Sequence, residues 1–215
     1  MLAMDGAARV EETDAAHMTR AELESQMDWV RDAPAHMGLL CEIVRRPDVE
    51  QREVLEEARL DPRVGLVGDS WYARATGSSK TSEPDRDRQL TLMNWRFATL
   101  VAAGEERVAL AGDQLYVDFD LSIENAPVGT RLQIGSATIE LTEPLHKGCA
   151  KFVRRFGKDA MELVNSPVGR ALRLRGSNAK VVIPGTVRVG DSVEKLRGDR
   201  TGVDRTGVEG RGQRN

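Results

Sequence analysis

The residues that could do chemistry crowd into one short stretch, Pro144-Leu145-His146-Lys147-Gly148-Cys149-Ala150-Lys151-Phe152, which runs on to Arg154-Arg155-Phe156-Gly157. One of only two cysteines in 215 residues stands there between two lysines. A helical pattern follows it. Backbone N–H groups at a helix start and nearby ammonium groups both favour a thiolate, the form of cysteine that attacks sulfur or ligates a soft metal. His146 stands three residues earlier and could take the thiol proton or hold a substrate oxygen. It reads equally well as a loop histidine bonded to backbone. Lys147, Lys151, Arg154 and Arg155 form a basic cluster that suits a phosphate, or a solvated helix face. Cys149 itself is either reactive or a small buried hydrophobe, and the flanking lysines argue against burial.

The elements that must position these groups are short. Thr19 and Glu22 make a capping box, and Leu23, Met27 and Val30 share one helical face. Residues 39–46 form an apolar run containing Cys41, read as core. Residues 52–60 suit a hairpin partner or a helix. Residues 73–88 read as the longest internal loop. Asn94 reads as a helix cap before Phe97, Leu100 and Val101, or as pocket lining. From Val108 the pattern turns to β. Leu115, Val117 and Phe119 alternate with other residues. Leu132, Ile134, Ile139 and Leu141 flank a Gly135-Ser136 hairpin turn. Residues 158–164 carry a short helical pattern. Residues 172–174 and 181–183 read as strands, and Pro184-Gly185 turns the chain toward Val187 and Val189. The Gly112-Asp113 turn reads as structural. Many short strands with a few helices favour a mainly β barrel over a βαβ sheet.

Residues 1–17 read as a flexible leader, 18–196 as a single domain, and 197–215 as a disordered tail with a repeated Arg-Thr-Gly-Val. A net charge of −3 argues against nucleic-acid binding, and no apolar run reaches membrane-spanning length. Two cysteines do not make a secreted disulfide framework, although a Cys41–Cys149 bridge is one pairing to check. The expected location is the cytoplasm. The oligomeric state stays open.

From Gly112 onward the chain resembles the MOSC domain family, named for the C-terminal domain of molybdenum-cofactor sulfurases. The resemblance lies in Gly112-Asp113-Gln114-Leu115, Asp120-Leu121-Ser122, residues 129–135, the cysteine stretch through Phe156-Gly157, and residues 173–193. Gly68-Asp69 matches more thinly, so that residues 38–193 are covered. It implies a MOSC-type β-barrel with a few short peripheral helices. It implies that Cys149 carries sulfur or ligates molybdenum, with His146 beside it as a catalytic residue. With a molybdenum cofactor (a Mo-pterin), the expected contacts are Lys147, Gly148, Lys151, Arg155 and Asn94, from the basic cluster and the pocket-lining reading above. Some relatives reduce N-hydroxylated compounds with that cofactor. A sulfur-donor or redox partner protein would follow. Enzymatic relatives often carry a His-Gly-Gly segment, which residues 87–94 lack. That departure supports the alternative of a non-catalytic binding module. The pyridoxal-phosphate domain of full sulfurases is absent, so pyridoxal phosphate is not expected on this chain.

Overall fold

Strand β2 (Met37–Arg45) is one wall strand of a closed ring. It is followed around the ring by β12 (Ser192–Lys195), β8 (Arg131–Ile134), β9 (Ala137–Leu141), β10 (Ser177–Ile183), β6 (Leu90–Asn94) and β7 (Leu115–Asp118), and β7 pairs back onto β2. Seven strands thus make a mixed barrel in which only β6 and β7 run parallel. The structure, a computed structural model, describes residues 8–9, 17–77, 84–144, 146 and 148–196. The expected leader and tail lie almost wholly outside these residues. The exception is β1 (Ala8–Arg9), which pairs with β3 (Glu53–Leu55) at the margin of β2. A separate small sheet joins β4 (Glu57–Asp61) to β5 (Gly65–Leu66) and β11 (Gly185–Arg188).

The period-two pattern divides the core. On β6, Leu90 and Leu92 point into the barrel, while Met93 packs against helices outside. Every residue of β6 is buried, as a wall between two apolar clusters requires. The outer cluster is built by α1 (Arg20–Ser25), α2 (Met27–Arg31), α4 (Trp95–Ala102) and α5 (Ala150–Asn165), through Leu23, Val30, Phe97 and Phe156. Phe156 is 1% exposed, and burying a side chain of that size stabilises by about 1.5–3 kcal/mol.

Several expectations hold. Thr19 caps α1 through its hydroxyl, 3.3 Å from the Glu22 N–H, while the Thr19 N–H donates to Glu22 Oε2 at 2.8 Å. The β8–β9 hairpin turns at Gly135-Ser136 with Ile134 opposite Ala137. Others fail for tertiary reasons. Residues 105–111 form a 3₁₀ helix (Glu105–Ala111) rather than the start of the β region. Residues 71–77 form α3 (Trp71–Gly77), so the expected loop begins later. Residues 172–174 are not a strand. They follow α6 (Pro167–Ala171) in a turn where Arg173 takes a φ of +48°. β11 does not fold back on β10 after Pro184-Gly185 but pairs with β4. β12 was not anticipated at all. Cys41 and Cys149 are both free thiols, so no bridge joins them. Cys41 is half-buried at a register shift of β2, where burial pushes its thiol up to about 11.

Candidate functional site

Cys149 is exposed at the N-cap of α5. Its carbonyl accepts from the N–H groups of Phe152 (2.9 Å) and Val153 (3.1 Å), and its side chain makes no capping bond. The helix it caps is broken at Gly157, whose φ of +86° ends a first run at residue 156. Gly148 lies so close to the second run that a Cβ there would overlap Met161 Sδ. The glycine therefore lets the cysteine segment lie against α5, a packing role visible in the geometry.

His146 sits over a buried charge pair. Asp113 is fully buried, and Arg175 Nη1 donates to its Oδ2 at 2.7 Å. His146 Nδ1 lies 3.2 Å from Asp113 Oδ1 and 3.5 Å from Arg175 Nη1, and Oδ1 has no hydrogen-bond partner among the described residues. Nδ1 thus faces both an acceptor, Asp113 Oδ1, and a donor, Arg175 Nη1. Burial, and then the neighbouring Arg175, hold the imidazole below its usual range, outweighing Asp113. Burial works to raise the Asp113 carboxyl, but Arg175 and His146 overcome it and hold it far below the ordinary carboxylate range. The Asp113 N–H donates to the Tyr116 hydroxyl at 3.2 Å. Gly176 takes a φ of +99° directly beneath the Leu92 carbonyl, where a Cβ would collide, and this sets Arg175 at the start of β10.

Arginines also fasten the end of the 3₁₀ helix. The carbonyls of Leu110, Ala111 and Gly112 accept in turn from Arg155 Nη1 (2.9 Å), Arg175 Nη2 (3.0 Å) and Arg46 Nη1 (2.7 Å). Carbonyls at a helix C-terminus lack partners within the helix, and cations are favoured there. Arg46 is held in turn by Asp69, through Nε to Oδ2 at 2.9 Å and Nη2 to Oδ1 at 3.0 Å.

A cleft of about 170 Å³ opens beside this network, lined by His146, Arg170, Arg173, Arg175, Glu143 and Val164 among others. Of its three arginines, Arg175 is paired with Asp113 and the Ala111 carbonyl, and Arg173 donates to the Ala126 carbonyl. Cys149 does not line the cleft, but three Cα steps of about 3.8 Å put its Cα within ~11 Å of that of His146.

The remaining expected residues go elsewhere. Lys147 lies outside the described residues. Lys151 Nζ is 2.5 Å from Glu50 Oε1, and Arg155 is 6% exposed with its guanidinium on Glu50 and the Leu110 carbonyl. Their charge is directed at Glu50 rather than at the thiol. Asn94 uses both ends of its amide: Oδ1 accepts from the Phe97 N–H (3.0 Å) and Nδ2 donates to the Phe119 carbonyl (3.0 Å). It faces a different hollow, with Asp120, Ser122 and Leu172. Asp113, Arg170, Arg173, Arg175 and Glu50 escaped the sequence reading. The one signal was two arginines, Arg173 and Arg175, inside an otherwise apolar stretch. Among the described residues, no three His, Cys, Asp or Glu side chains converge as a metal site, and no helix is long and apolar enough to cross a membrane.

The model of the MOSC domain family matches residues 95–194. Comparison with curated proteins finds no match. Among solved structures, one described as a hypothetical protein superposes with a TM-score of 0.52 at 22% identity, covering 79% of this chain and 71% of that one. YiiM from Geobacillus stearothermophilus superposes with a TM-score of 0.50 at 11% identity, covering 75% of each. At these identities the likeness speaks for the fold. The span matched by the family model holds Asp113, His146, Cys149 and Arg175 and five of the seven barrel strands, and over residues 95–194 the chain is similar to the MOSC domain family.

Proposed function

We propose that this protein carries sulfur on Cys149, or offers that sulfur to the metal of a molybdenum cofactor, with the phosphate of the ligand held in the arginine cleft. One observation carries the reading. An exposed thiol at a helix N-cap lies within three residues of a histidine that lines a cleft together with Arg170, Arg173 and Arg175. The residues present fit such a cofactor in kind. Cys149 supplies one soft ligand, Arg170, Arg173 and Arg175 supply charge for a phosphate, and Arg175 Nε has no hydrogen-bond partner among the described residues. With no cluster of three protein ligands among the described residues, the remaining metal donors would come from the pterin. Bound there, the cofactor would supply two-electron redox chemistry, including reduction of N-hydroxylated substrates.

As a sulfur carrier, the Cys149 thiolate attacks the outer sulfur of a donor persulfide. The donor's S–S bond breaks, its thiolate leaves, and Cys149 keeps the sulfur as its own persulfide. His146, held neutral near pH 7, takes the thiol proton, and the donor is a partner protein or small persulfide. Treatment with a persulfide donor should add about 32 Da per chain, lost in Cys149→Ser. Metal and pterin analysis of protein from cells that make the cofactor tests the second branch. An unmodified thiol together with no molybdenum refutes both and leaves a binding module without the chemistry.

A further inference from the structure

The turn before β3 places one carboxylate among four cations. Glu50 Oε1 meets Lys151 Nζ at 2.5 Å, and Oε2 meets Arg155 Nη2 and, at 3.5 Å, Arg154 Nη2. Arg52 adds its charge nearby. Its Nε is buried and has no partner among the described residues. Burial, with Arg155 and Arg46 close by, pulls the Arg52 pKa down, as unbalanced positive charge does. Glu50 reaches this place in a left-handed backbone conformation, φ +60°, which a non-glycine residue adopts at a cost of about 1–2 kcal/mol. The Glu50 side chain is 41% exposed, whereas that of Arg155 is only 5% exposed. Arg155 is therefore held by the fold, while Lys151 and Arg154, with side chains 51% and 56% exposed, meet Glu50 at the surface.

We infer that Lys151, Arg154, Arg155 and Arg52 form a second anion seat, distinct from the His146 cleft, which takes a phosphate group and which Glu50 occupies in its absence. The geometry supports exchange. The donors are fork-shaped guanidiniums and one ammonium, the set that binds phosphate oxygens by charge-assisted hydrogen bonds. Arg155 stays anchored through Nη1 to the Leu110 carbonyl when Glu50 leaves. Swinging Glu50 outward moves one exposed side chain and leaves the core untouched. The seat lies along the first turns of the helix that Cys149 caps. The seat does not require that the thiol react.

The test is titration of the full chain with inorganic phosphate and, separately, phenyl phosphate, by calorimetry at low ionic strength. Glu50→Gln, which keeps the shape and removes the competing charge, should bind phosphate about tenfold more tightly than the parent chain. Adding Lys151→Ala to it should reverse the gain. Tighter binding of phenyl phosphate than of free phosphate would mark the seat as one for esterified ligands, and the reverse order as one for the free ion; either supports it. Glu50→Gly, suited to φ +60°, serves if the glutamine variant does not fold. Equal affinity of parent and Glu50 variants, or a gain that survives Lys151→Ala, overturns the inference. Cys149→Ser should bind phosphate like the parent, so failure of the sulfur chemistry and failure of the seat read out separately.

Discussion

Replacing Asp113 by Asn keeps the shape of the buried pair and removes its charge. Arg175 is then a guanidinium, 7% exposed, without a counter-ion, facing an amide at 2.7 Å. Removing one partner of a buried ion pair costs about 3–5 kcal/mol, because the other charge stays desolvated. The amide oxygen still accepts one hydrogen bond, so the lower end applies, about 3 kcal/mol. A chain of 215 residues loses roughly 2–4 °C of Tm per kcal/mol, giving a drop of about 6–12 °C at pH 7. The pH dependence has a sign. Asp113 has a depressed folded pKa, so its contribution is complete above the unfolded value near 4 and is lost as pH falls below it. The gap between parent and variant should therefore be constant from about pH 5 to 7 and narrow at more acidic pH. Thermal melts followed by circular dichroism, from pH 3 to 8, measure it. A variant melting within about 1 °C of the parent at pH 7 would refute the reasoning, since no buried charge would then have been left alone.

Other perturbations reach different parts of the fold. Glu42 is held by burial, with Glu105 nearby, at a pKa of about 7, above its unfolded value. Its ionisation therefore costs the folded state stability as pH rises from about 4.5 to 7, and Glu42→Gln should raise Tm by a few degrees (~3 °C) at pH 8 and by little at pH 4. Gly148→Ala should destabilise by no more than about 1 kcal/mol, because the Met161 thioether in its way can swing aside, and Met161→Ala in the same chain should recover that loss, read by urea melts. Alkylation at pH 8 should label exposed Cys149 and spare Cys41, whose thiol sits near 11, giving one label per chain by mass spectrometry.

Local signals were legible where the physics is local. The Thr19–Glu22 box, the Asn94 cap and the Gly135-Ser136 hairpin each depend on residues a few positions apart, and each stands in the structure. The strand misread at residues 172–174 failed because Arg173 is drawn into a left-handed turn, where its Nη1 reaches the Ala126 carbonyl at 2.5 Å. β12 carries one buried apolar residue, Val193, and owes its extended form to β2 and β8 on either side. Of the site, Cys149 and His146 were legible from composition and spacing. Asp113 was legible only as a turn residue, since its ion pair spans 62 positions of chain. Glu50 gave no signal, because nothing near it in sequence announces the cations that meet it from α5.

The position of β12 bears on how the protein is made. Synthesis proceeds from the N-terminus, and β2, the first barrel strand, waits for a neighbour that is the last of the described strands to emerge. Until residues 192–195 leave the ribosome, β2 and β8 each present an unpaired margin, the kind of surface on which nascent chains associate wrongly. Closure of the ring is thus a late event for this polypeptide, and a four-residue segment of little intrinsic β character decides when its two flanks are sealed.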